Sequence, residues 1–468
     1  MVVFKSLIKY WVYLFLLIFS VVPIIFVKIE LPLVIILLVF LMWLNNKLKI
    51  TKFPLILFIF SLLLRITIVL LVDTPPVSDF EVLYNASKSI NIHDFSFNNT
   101  SYFYYWAYQI GFVFIQSLFL KIINSIMFLK IINCFVTSGI CVLTYYISKE
   151  FIREKYARVV ATFYTVMIFP LTYVTVLTNQ HLSTLFIYLA LYFLISKKGR
   201  ISDFKKYLLS GVLISLGNII RPEGIITIFS IVLYLLFVLK KENLKNTIKN
   251  ILTLVSSYYL VFIICSNLFI ISGIGPYGLS NNAPYWKFVL GFNYDTVGQY
   301  SDSDAYVLGN KDEAYNLIKS RVLDKPLKLV KLFFKKSDIF WNRSTLNWTF
   351  YDFYDNNIFI FGRSYKVIEI TNKLNKYNEN SLLVMYILMI IGIFNYINKK
   401  EWNKKVLLLI NQVFITFGVY LLIEIQTRYA YFIEISTVML MGLGIEYLDK
   451  KRLEYKKLLK IGKKQSSL

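Results

Sequence analysis

Long apolar runs separated by short polar connections dominate this sequence. A helix needs about 20 apolar residues to cross a bilayer, and a backbone in lipid must satisfy its own hydrogen bonds. The runs lack the period-two alternation of barrel strands, so the pattern predicts an all-α membrane protein, a polytopic helical bundle of about 12 spans. The candidate spans are residues 8–27, 31–45, 53–72, 126–148, 159–177, 180–196, 207–221, 224–239, 250–271, 381–398, 406–423 and 429–447.

The placement of charge predicts how these spans are oriented. The formal net charge is +24, which in a soluble protein would suggest nucleic-acid binding. Here the cations gather in short connections instead, as membrane proteins do on the cytoplasmic side, so we expect the lipid bilayer and no nucleic acid as partner. The basic connections are Lys47–Lys52, Lys149–Arg158, Lys197–Lys206, Lys240–Lys249 and Lys399–Lys405, with the tail Lys450–Lys464.

This orientation predicts a multi-pass protein of the cell membrane with residues 73–101 outside. The bias toward Lys, Asn, Ile, Phe and Tyr is typical of an AT-rich bacterial genome. No small-residue cleavage site follows the first apolar run, which we therefore interpret as a retained span. Cys134, Cys141 and Cys265 lie inside apolar runs and predict no disulfide framework.

Residues 104–122 are apolar enough to count as a span, but parity argues against it. An odd number of crossings must separate the outer loop 73–101 from the basic inner loop 149–158, and residues 126–148 supply one. The Tyr, Trp and Gln residues of 104–122 suit a helix that lies flat or dips into the outer leaflet.

The large hydrophilic block 272–380 predicts an outer cap, since long loops translocate largely regardless of charge. Within it, Glu313–Lys336 has apolar residues at helical spacing, which predicts an amphipathic helix pair broken at Pro326 and resting on the outer leaflet. The predicted organisation is an N-terminal membrane module 1–271 with a catalytic first outer loop 73–125, the cap 272–380, C-terminal spans 381–448 and a basic cytoplasmic tail 449–468.

Polar groups gather where several spans end on the outer side. Arg221 and Arg428 contradict the inward bias of the other cations and therefore need a reason. Pairing with Glu223 and Glu424 is one explanation; binding of phosphate oxygens by a planar, always charged guanidinium is the other. For Asp79, placed after Pro75-Pro76, the alternatives are chemistry at the lipid boundary and a solvated loop residue. The candidate site residues are Asp79, Glu81, Asn179, Gln180, His181, Arg221, Glu223, Glu424, Arg428 and Tyr429.

These motifs, in this order, resemble the GT-C superfamily of polyprenyl-phosphate-sugar-dependent glycosyltransferases. The closest likeness is to the protein-mannosyltransferase and aminoarabinose-transferase group, including its Gram-positive members, over most of residues 53–447. Many members carry an adjacent Asp-Glu pair, whereas here Phe80 follows the acid. The resemblance rests on Ser78-Asp79-Phe80, Asn179–His181, Arg221-Pro222-Glu223-Gly224, Lys325-Pro326 with Lys335-Lys336 and Phe340-Trp341, and Arg428-Tyr429.

The resemblance implies an inverting transfer of a hexosyl or pentosyl group on the outer face, without a cofactor. The donor would be a polyprenyl-phosphate-linked sugar, and the acceptor a cell-envelope glycan, glycolipid or protein. Asp79 would be the base, with Glu81 as the second catalytic candidate. Arg221, Arg428 and Tyr429 would bind the donor phosphate, and Asn179, Gln180, His181 and Glu223 the substrates.

Other residues stay open between function and structure. His93 and His181 have no cysteine near them, so we expect no metal site. Arg65 lies in the third span, and its partner is not visible in the sequence. Asp295, Asp302 and Asp304 bind the acceptor or, as we favour, are solvated; Trp286, Trp341 and Trp348 stack on sugars or belong to an aromatic belt.

Two rival functions remain. An outer-face polysaccharide polymerase or ligase also uses many spans and a large outer loop, but would rely on arginines in that loop. A lipid-linked oligosaccharide flippase or other transporter would need charged residues along a central path. The spans of this chain are nearly free of charge, and the sequence shows no internal repeat, which argues against transport.

Overall fold

A computed structural model describes residues 2–21, 31–47, 51–196, 202–238, 244–323, 326–342, 346–350, 357–360, 363–399 and 403–465. The α-helices are α1 (Val2–Val21), α2 (Leu31–Lys47), α3 (Phe53–Leu71), α4 (Asp79–Asn91), α5 (Ser101–Tyr105), α6 (Ile110–Ile122), α7 (Ile126–Ser148), α8 (Glu154–Val166), α9 (Ile168–Thr172), α10 (Gln180–Ile195), α11 (Asp203–Ile220), α12 (Gly224–Phe237), α13 (Leu244–Ile271), α14 (Trp286–Gly291), α15 (Lys311–Leu323), α16 (Pro326–Asn342), α17 (Leu346–Thr349), α18 (Val367–Ile397), α19 (Lys405–Leu422) and α20 (Tyr431–Gln465).

Strands are confined, in the described part of the chain, to one short hairpin. Strand β1 (Asn357–Ile360) pairs antiparallel with β2 (Arg363–Lys366), with Ile360 opposite Arg363. Helix α18 begins directly after β2. The prediction of an all-α architecture is therefore confirmed.

Within the described residues, the predicted spans coincide with helices, except that 159–177 is divided between α8 and α9; residues 22–27 of the first predicted span lie outside the described residues. In the described part of the chain, six helices are long and apolar enough to cross a membrane, namely α3, α7, α13, α18, α19 and α20, and the last of these qualifies over Thr427–Leu459. Helices α8 and α9 meet at 58° and together form a seventh candidate. Shorter apolar helices account for most of the remaining runs, so the polytopic bundle is confirmed, while the count of about 12 spans stays a prediction.

The helices divide into a buried centre and an apolar periphery. The membrane-length part of α20 is 83% buried, whereas those of α3 and α13 are 22% buried. Helix α18 approaches α20 so closely that a Cβ on Gly444 would lie 2.0 Å from the Leu388 carbonyl oxygen. Helix α3 exposes Leu55, Leu63 and Leu70. Helix α20 is therefore the axis of the bundle, and α3 and α13 present apolar side chains outward.

Arg65 lies on the buried side of α3. Its side chain is fully buried, and Nη1 donates to the Ser61 hydroxyl at 2.6 Å. The structure thus supplies a partner one helical turn away, which the sequence left open. Cys134, Cys141 and Cys265 lie in helices as free thiols.

The predicted first outer loop folds into short helices. Helix α4 packs against α6, where Ser87 donates to the Gln116 side chain at 2.8 Å. Helix α6 has 13 residues and is about 20 Å long, which is shorter than the hydrocarbon core of a bilayer. This length agrees with a segment that does not cross, although the membrane placement of 104–122 stays a prediction.

The block 272–380 carries helices α14 to α17 and the hairpin. Helix α15 ends at Leu323 and α16 begins at Pro326, but residues 324–325 lie outside the described residues, so the break at Pro326 stays a prediction. Helix α16 exposes Leu327 and Phe334 and buries Phe340. One apolar side of α16 thus packs inside the protein and another faces outward, which leaves contact with the outer leaflet a prediction.

Candidate active site

A cavity of about 570 Å³ opens where the cap meets the ends of the bundle helices. Distant parts of the sequence enclose it: the start of α4, the connection between α5 and α6, α14, Gln299-Tyr300, Trp348 and residues 424–429. Asp79 and Arg428, predicted as site residues from opposite ends of the chain, both line this cavity.

Asp79 is the first residue of α4. Its carboxylate favours this position, because a helix N-terminus carries partial positive charge. The preceding residue, Ser78, has φ of +54°, which is unfavourable for a residue with a side chain. Such backbone strain persists where the surrounding structure enforces one conformation, often at functional sites. The Asp79 side chain is 49% exposed and therefore accessible from the cavity.

Arg428 lies against two aromatic rings that contact each other, with ring centroids 5.5 Å apart. Its guanidinium carbon lies 4.4 Å from the ring centroid of Trp348 and 4.8 Å from that of Phe80. Nη2 lies 3.9 Å from Asp79 Oδ2, and the side chain is 7% exposed. Nε and Nη1 make no hydrogen bond to any described residue. A buried guanidinium with unused donors is suited to binding an anion.

Glu424 pairs with Lys287 of α14. The sequence offered Arg428 as the partner of Glu424, and the structure does not show that pair. Glu424 and Lys287 form a salt bridge, and the Glu424 backbone N–H donates to the Lys287 carbonyl at 2.7 Å. Burial alone would raise the pKa of Glu424, but the Lys287 ammonium lowers it below its ordinary value. Burial would likewise lower the pKa of Lys287, but Glu424 raises it well above the ordinary value. Both groups are therefore charged near neutral pH.

Tyr429 connects this pair to Arg221. Its hydroxyl donates to Glu424 at 3.3 Å, and the Arg221 guanidinium lies 5.2 Å from its ring centroid. Arg221 Nε donates to Glu223 at 2.6 Å and Nη1 donates to Asn179 at 3.1 Å. Arg221 thus has the structural ion pair that the sequence offered as one alternative, and it lies behind Tyr429.

Gln180 and His181 hold the segment that carries Arg428. Gln180 Nε2 donates to the Arg428 carbonyl at 2.9 Å. His181 Nε2 lies 3.1 Å from the Tyr173 carbonyl and Nδ1 lies 2.9 Å from the Tyr431 hydroxyl. A carbonyl only accepts, so Nε2 carries the proton and Nδ1 accepts from Tyr431. Both predicted residues are fully buried and outside the described cavity lining.

Lys336 joins the cap to the bundle just behind this wall. It is fully buried, and its ammonium donates to the carbonyl oxygens of Gly291 at 3.0 Å, Leu421 at 2.7 Å and Ile423 at 2.7 Å. Leu421 and Ile423 lie at the C-terminal end of α19, whose last carbonyls have no partner within the helix. Lys336 therefore positions the segment that leads into Glu424.

The other predicted residues differ in where the structure places them. Glu81 is exposed and lies outside the described cavity lining. The solvated interpretation is wrong for Asp304, which is buried and receives two hydrogen bonds from Arg321 at 2.8 and 3.0 Å. Among the tryptophans, Trp286 and Trp348 line the cavity and Trp341 is fully buried. Within the described residues, no three His, Cys, Asp or Glu side chains are grouped to hold a metal ion.

From the sequence we did not identify Lys287, or the tyrosine and glutamine side chains beside α6, as parts of the cavity lining. Tyr102, Tyr108 and Gln109 line the cavity, and Gln109 accepts from Asn179 at 3.3 Å. The Tyr, Trp and Gln residues of 104–122 predict an interfacial helix, and the sequence does not indicate that Tyr108 and Gln109 line a cavity. The sequence offered no corresponding indication for Lys287.

Residues 110–270 match the family model described as dolichyl-phosphate-mannose-protein mannosyltransferase. A comparison with curated protein sequences finds no match.

Among solved structures, the archaeal oligosaccharyltransferase AglB from Archaeoglobus fulgidus, in complex with an inhibitory peptide and a dolichol-phosphate, aligns at 12% identity with a TM-score of 0.47. It covers 87% of this chain and 51% of the other. The apo form of the Archaeoglobus fulgidus enzyme aligns at 14% identity with a TM-score of 0.48, over 87% and 52%. This chain thus spans about half the length of the structures it matches.

The family match confirms the resemblance drawn from the sequence motifs. The matched residues include α6, which follows the cavity-lining residues Tyr108 and Gln109, and also Asn179, Gln180, His181, Arg221 and Glu223. Over residues 110–270, the chain is thus similar to the dolichyl-phosphate-mannose-protein mannosyltransferase family.

Proposed function

We propose that this protein transfers a sugar from a polyprenyl-phosphate donor to an acceptor hydroxyl, with inversion, using Asp79 as the base. The observation that carries the proposal is the pairing of two groups in one cavity. Asp79 offers an accessible carboxylate, and Arg428, 3.9 Å away, offers a buried guanidinium with two nitrogens that hydrogen-bond no described residue. A proton acceptor beside an anion-binding group is what such a transfer requires.

The bond changes follow from these two groups. The acceptor oxygen attacks the anomeric carbon and forms the new glycosidic bond while its proton passes to an Asp79 oxygen. The bond between the anomeric carbon and the phosphate oxygen breaks, and its electron pair leaves with the polyprenyl phosphate. A positioned base is worth about 10²–10⁴-fold in such a step.

The leaving phosphate needs charge stabilisation more than a proton. Arg428 is oriented for this role by Trp348 and Phe80, and its planar fork matches phosphate oxygens. Lys287 lines the same cavity and adds a second cation. Before the donor binds, each cation has a carboxylate beside it, so donor binding exchanges the contact of Arg428 with Asp79 for one with phosphate and leaves Asp79 available to the acceptor.

Residues behind the cavity support this arrangement. Arg221 and Glu223 hold Tyr429 and Asn179, and Gln180 and His181 hold the backbone around Arg428, as the contacts above describe. We therefore assign Asp79 the catalytic role and Arg428, Tyr429 and Lys287 the donor-phosphate site. Arg221, Glu223, Asn179, Gln180 and His181 are positioning residues, and the exposed Glu81 takes no part in the step.

We further propose that the cavity opens on the extracytoplasmic face of a bacterial cell membrane. The basic connections support this orientation through the positive-inside bias. The exposed apolar side chains of α16, Leu327 and Phe334, support contact of the cap with the outer leaflet, where a polyprenyl phosphate resides. The acceptor is then a hydroxyl of an envelope glycan, a glycolipid or a protein.

The polymerase or ligase alternative depended on arginines of the large loop. Arg321 is the loop arginine whose side chain the structure describes, and its guanidinium bonds to Asp304 and the Val289 carbonyl. It lies outside the described cavity lining. The cations at the cavity are Arg428 and Lys287, which favours the transferase.

Mass spectrometry of envelope glycans, glycolipids and proteins from cells that lack this protein tests the proposal. We expect a missing monosaccharide decoration, with accumulation of its polyprenyl-phosphate donor, restored by the wild-type gene but not by Asp79→Asn. Shortened polymer chains instead of a missing decoration would indicate the polymerase. Donor trapped on the cytoplasmic leaflet would indicate a flippase, and both results would overturn the proposal.

A further inference from the structure

A second large cavity lies at the opposite end of the bundle from the candidate active site. It measures about 550 Å³ and is enclosed by the connection between α7 and α8, the C-terminal half of α18, the start of α19, and α20. We call it the distal cavity, and its charged lining residues are Arg153, Lys399, Glu446, Lys450, Lys451 and Glu454.

The two cavities are separated by the length of α20. This helix is continuous from Tyr431, next to Arg428, to beyond Lys450. At about 1.5 Å per residue, the two positions are about 28 Å apart, close to the thickness of a hydrocarbon core. The distal cavity is therefore independent of the transfer site, and the inference below does not rest on the proposed function.

Cations outnumber carboxylates around the distal cavity. Among the described lining residues other than Lys399, three cationic side chains face two carboxylates, a formal surplus of +1. Glu446 is engaged by Arg153 Nε at 2.6 Å. Glu454 is shared by two ammonium groups, Lys451 at 3.1 Å and Lys450 at 3.9 Å. The two carboxylates thus cannot neutralise all the cations of the lining.

Neighbouring carboxylates do not remove this surplus, because other cations engage them. Asp449 pairs with Lys155 at 2.8 Å and with Arg452 at 2.5 Å. Glu150 pairs with Lys405 at 2.5 Å. Among the described residues, Lys450 and Lys451 share one carboxylate, so part of their positive charge is left for a ligand or for solvent ions.

The form of the site distinguishes it from an ordinary basic surface. Basic connections next to a membrane are usually spread over a face, whereas these side chains converge on one concavity between bundle helices. Asn395 and Tyr447 line it as well and can donate hydrogen bonds to the same anion. A volume of about 550 Å³ exceeds the share of one water, about 30 Å³, many times over and accommodates a polyatomic group.

We propose that the distal cavity binds a phosphate-bearing anion, with Lys450, Lys451 and Arg153 as its principal ligands. Ammonium and guanidinium groups are the side chains that bind phosphate oxygens, and basic pockets between membrane helices bind anionic headgroups. The phosphate belongs either to the headgroup of an anionic phospholipid or to a soluble phosphate ester.

Binding of defined probes to the full-length protein in nanodiscs and in neutral detergent tests the proposal. The probes are phosphatidylglycerol and phosphatidylcholine for the lipid arm, and glycerol 3-phosphate for the soluble arm, measured by native mass spectrometry and titration. Saturable binding of phosphatidylglycerol alone assigns a lipid headgroup, and binding of glycerol 3-phosphate assigns a soluble ester. Failure of both phosphate probes, or equal binding of phosphatidylcholine, overturns the site.

Matched variants then locate the binding. Lys450→Gln with Lys451→Gln should weaken the phosphate probe about tenfold or more, since each removes a charge-assisted hydrogen bond. The control is Lys456→Gln with Lys457→Gln, which removes equal charge from exposed positions on the same helix and should change affinity less than about twofold. Equal losses in both pairs would mean diffuse surface attraction and would overturn the proposal.

A variant that is expected to bind the probe more tightly tests whether the weaker binding of the lysine variants results from misfolding. Glu454→Gln removes the carboxylate shared by Lys450 and Lys451 and raises the surplus from +1 to +2. We expect it to bind the probe several-fold more tightly, an outcome that damage to the fold would not give. Weaker or unchanged binding by this variant would contradict the assignment of the two lysines.

Discussion

The two ends of the bundle carry the same kinds of charged side chains but hold them differently. At the candidate active site, the side chains of Arg428 and Glu424 are 7% and 2% exposed. At the distal cavity, those of Lys450, Lys451 and Glu454 are 65%, 58% and 45% exposed. The first end buries Arg428 and Glu424 among specific partners and leaves Asp79 accessible from the cavity, while the second leaves all three of these charges in contact with solvent.

This difference separates catalysis from reversible binding. A buried charged side chain keeps one orientation and interacts strongly with charge that develops nearby in a transition state. Its removal leaves the oppositely charged partner buried and unpaired. Exposed ion pairs are screened and contribute little to stability, so they exchange partners at low cost. This difference is consistent with our proposals of catalysis at the Arg428 end and anion binding at the Lys450 end.

Replacing Arg428 should have the largest effect. Arg428→Ala is expected to lower kcat/KM for the polyprenyl-phosphate donor by about 10²–10³-fold, the range for losing a preorganised donor to developing charge. Arg428→Lys should restore only part of this, since a point charge replaces a planar fork. Initial rates over a series of donor concentrations measure it. Arg153→Ala, at the distal end, is the control, and equal losses in both variants would remove the distinction between the ends.

Removing a carboxylate from each end should affect stability unequally. Glu424→Gln leaves the ammonium of Lys287, whose side chain is 33% exposed, next to a neutral partner and should cost about 2 kcal/mol, less than for a fully buried pair. Glu446→Gln breaks the pair with Arg153, whose side chain is 56% exposed, and should cost about 1 kcal/mol or less. Equilibrium unfolding in mixed micelles with SDS compares the two. If Glu446→Gln were less stable than Glu424→Gln, the proposed difference between the two ends would be wrong.

Two consecutive lysines provide the same contrast within one helix. Lys336→Met removes the donor to three backbone carbonyls and should cost about 2 kcal/mol, because hydrogen bonds to charged groups are worth about 1.5–3 kcal/mol each and methionine recovers part of the packing. Lys335→Met, at an exposed position, should change stability by less than about 0.5 kcal/mol. Indistinguishable thermal midpoints would mean that Lys336 does not join the cap to α19.

The smallest expected effect is a pH dependence of the Glu424 pair. Lys287 holds the pKa of Glu424 below its ordinary value of 4.5, so the folded protein keeps the carboxylate charged at a pH where the unfolded chain takes up a proton. The contribution is complete above pH 4.5 and is lost as the pH falls through the lower folded-state pKa. The stability difference between wild type and Glu424→Gln should therefore be constant from about pH 7 to pH 5 and shrink below. A difference that grows in acid would contradict the lowered pKa.

Much of the site was predictable because its elements follow local rules. Asp79 was identified by its place after a span and two prolines, and Arg428 by its contradiction of the charge bias. Both inferences use only neighbouring residues. The helices followed from apolar run length for the same reason, although α18 extends well before residue 381, to Val367, because its first part lies in the cap.

The residues that were missed depend on contacts between distant segments. Glu424 was matched with Arg428 because the two are close in sequence, but its partner is Lys287, 137 residues away. Asp304 was assigned to solvent because its loop is polar, yet it is buried against Arg321. Periodicity and spacing carry no information on which cap residue packs against which helix end.

The central claim is that Asp79 accepts the proton from the acceptor. Asp79→Asn keeps the shape of the side chain and removes the base, so transfer of sugar from a polyprenyl-phosphate donor should fall by about 10²-fold or more while donor binding persists. The matched control is Glu81→Gln, on the exposed side of the same helix turn, which should retain near-normal turnover. Single-turnover rates of both purified variants, at saturating donor, make the comparison. Near-normal transfer by Asp79→Asn, with or without loss in Glu81→Gln, would contradict the account.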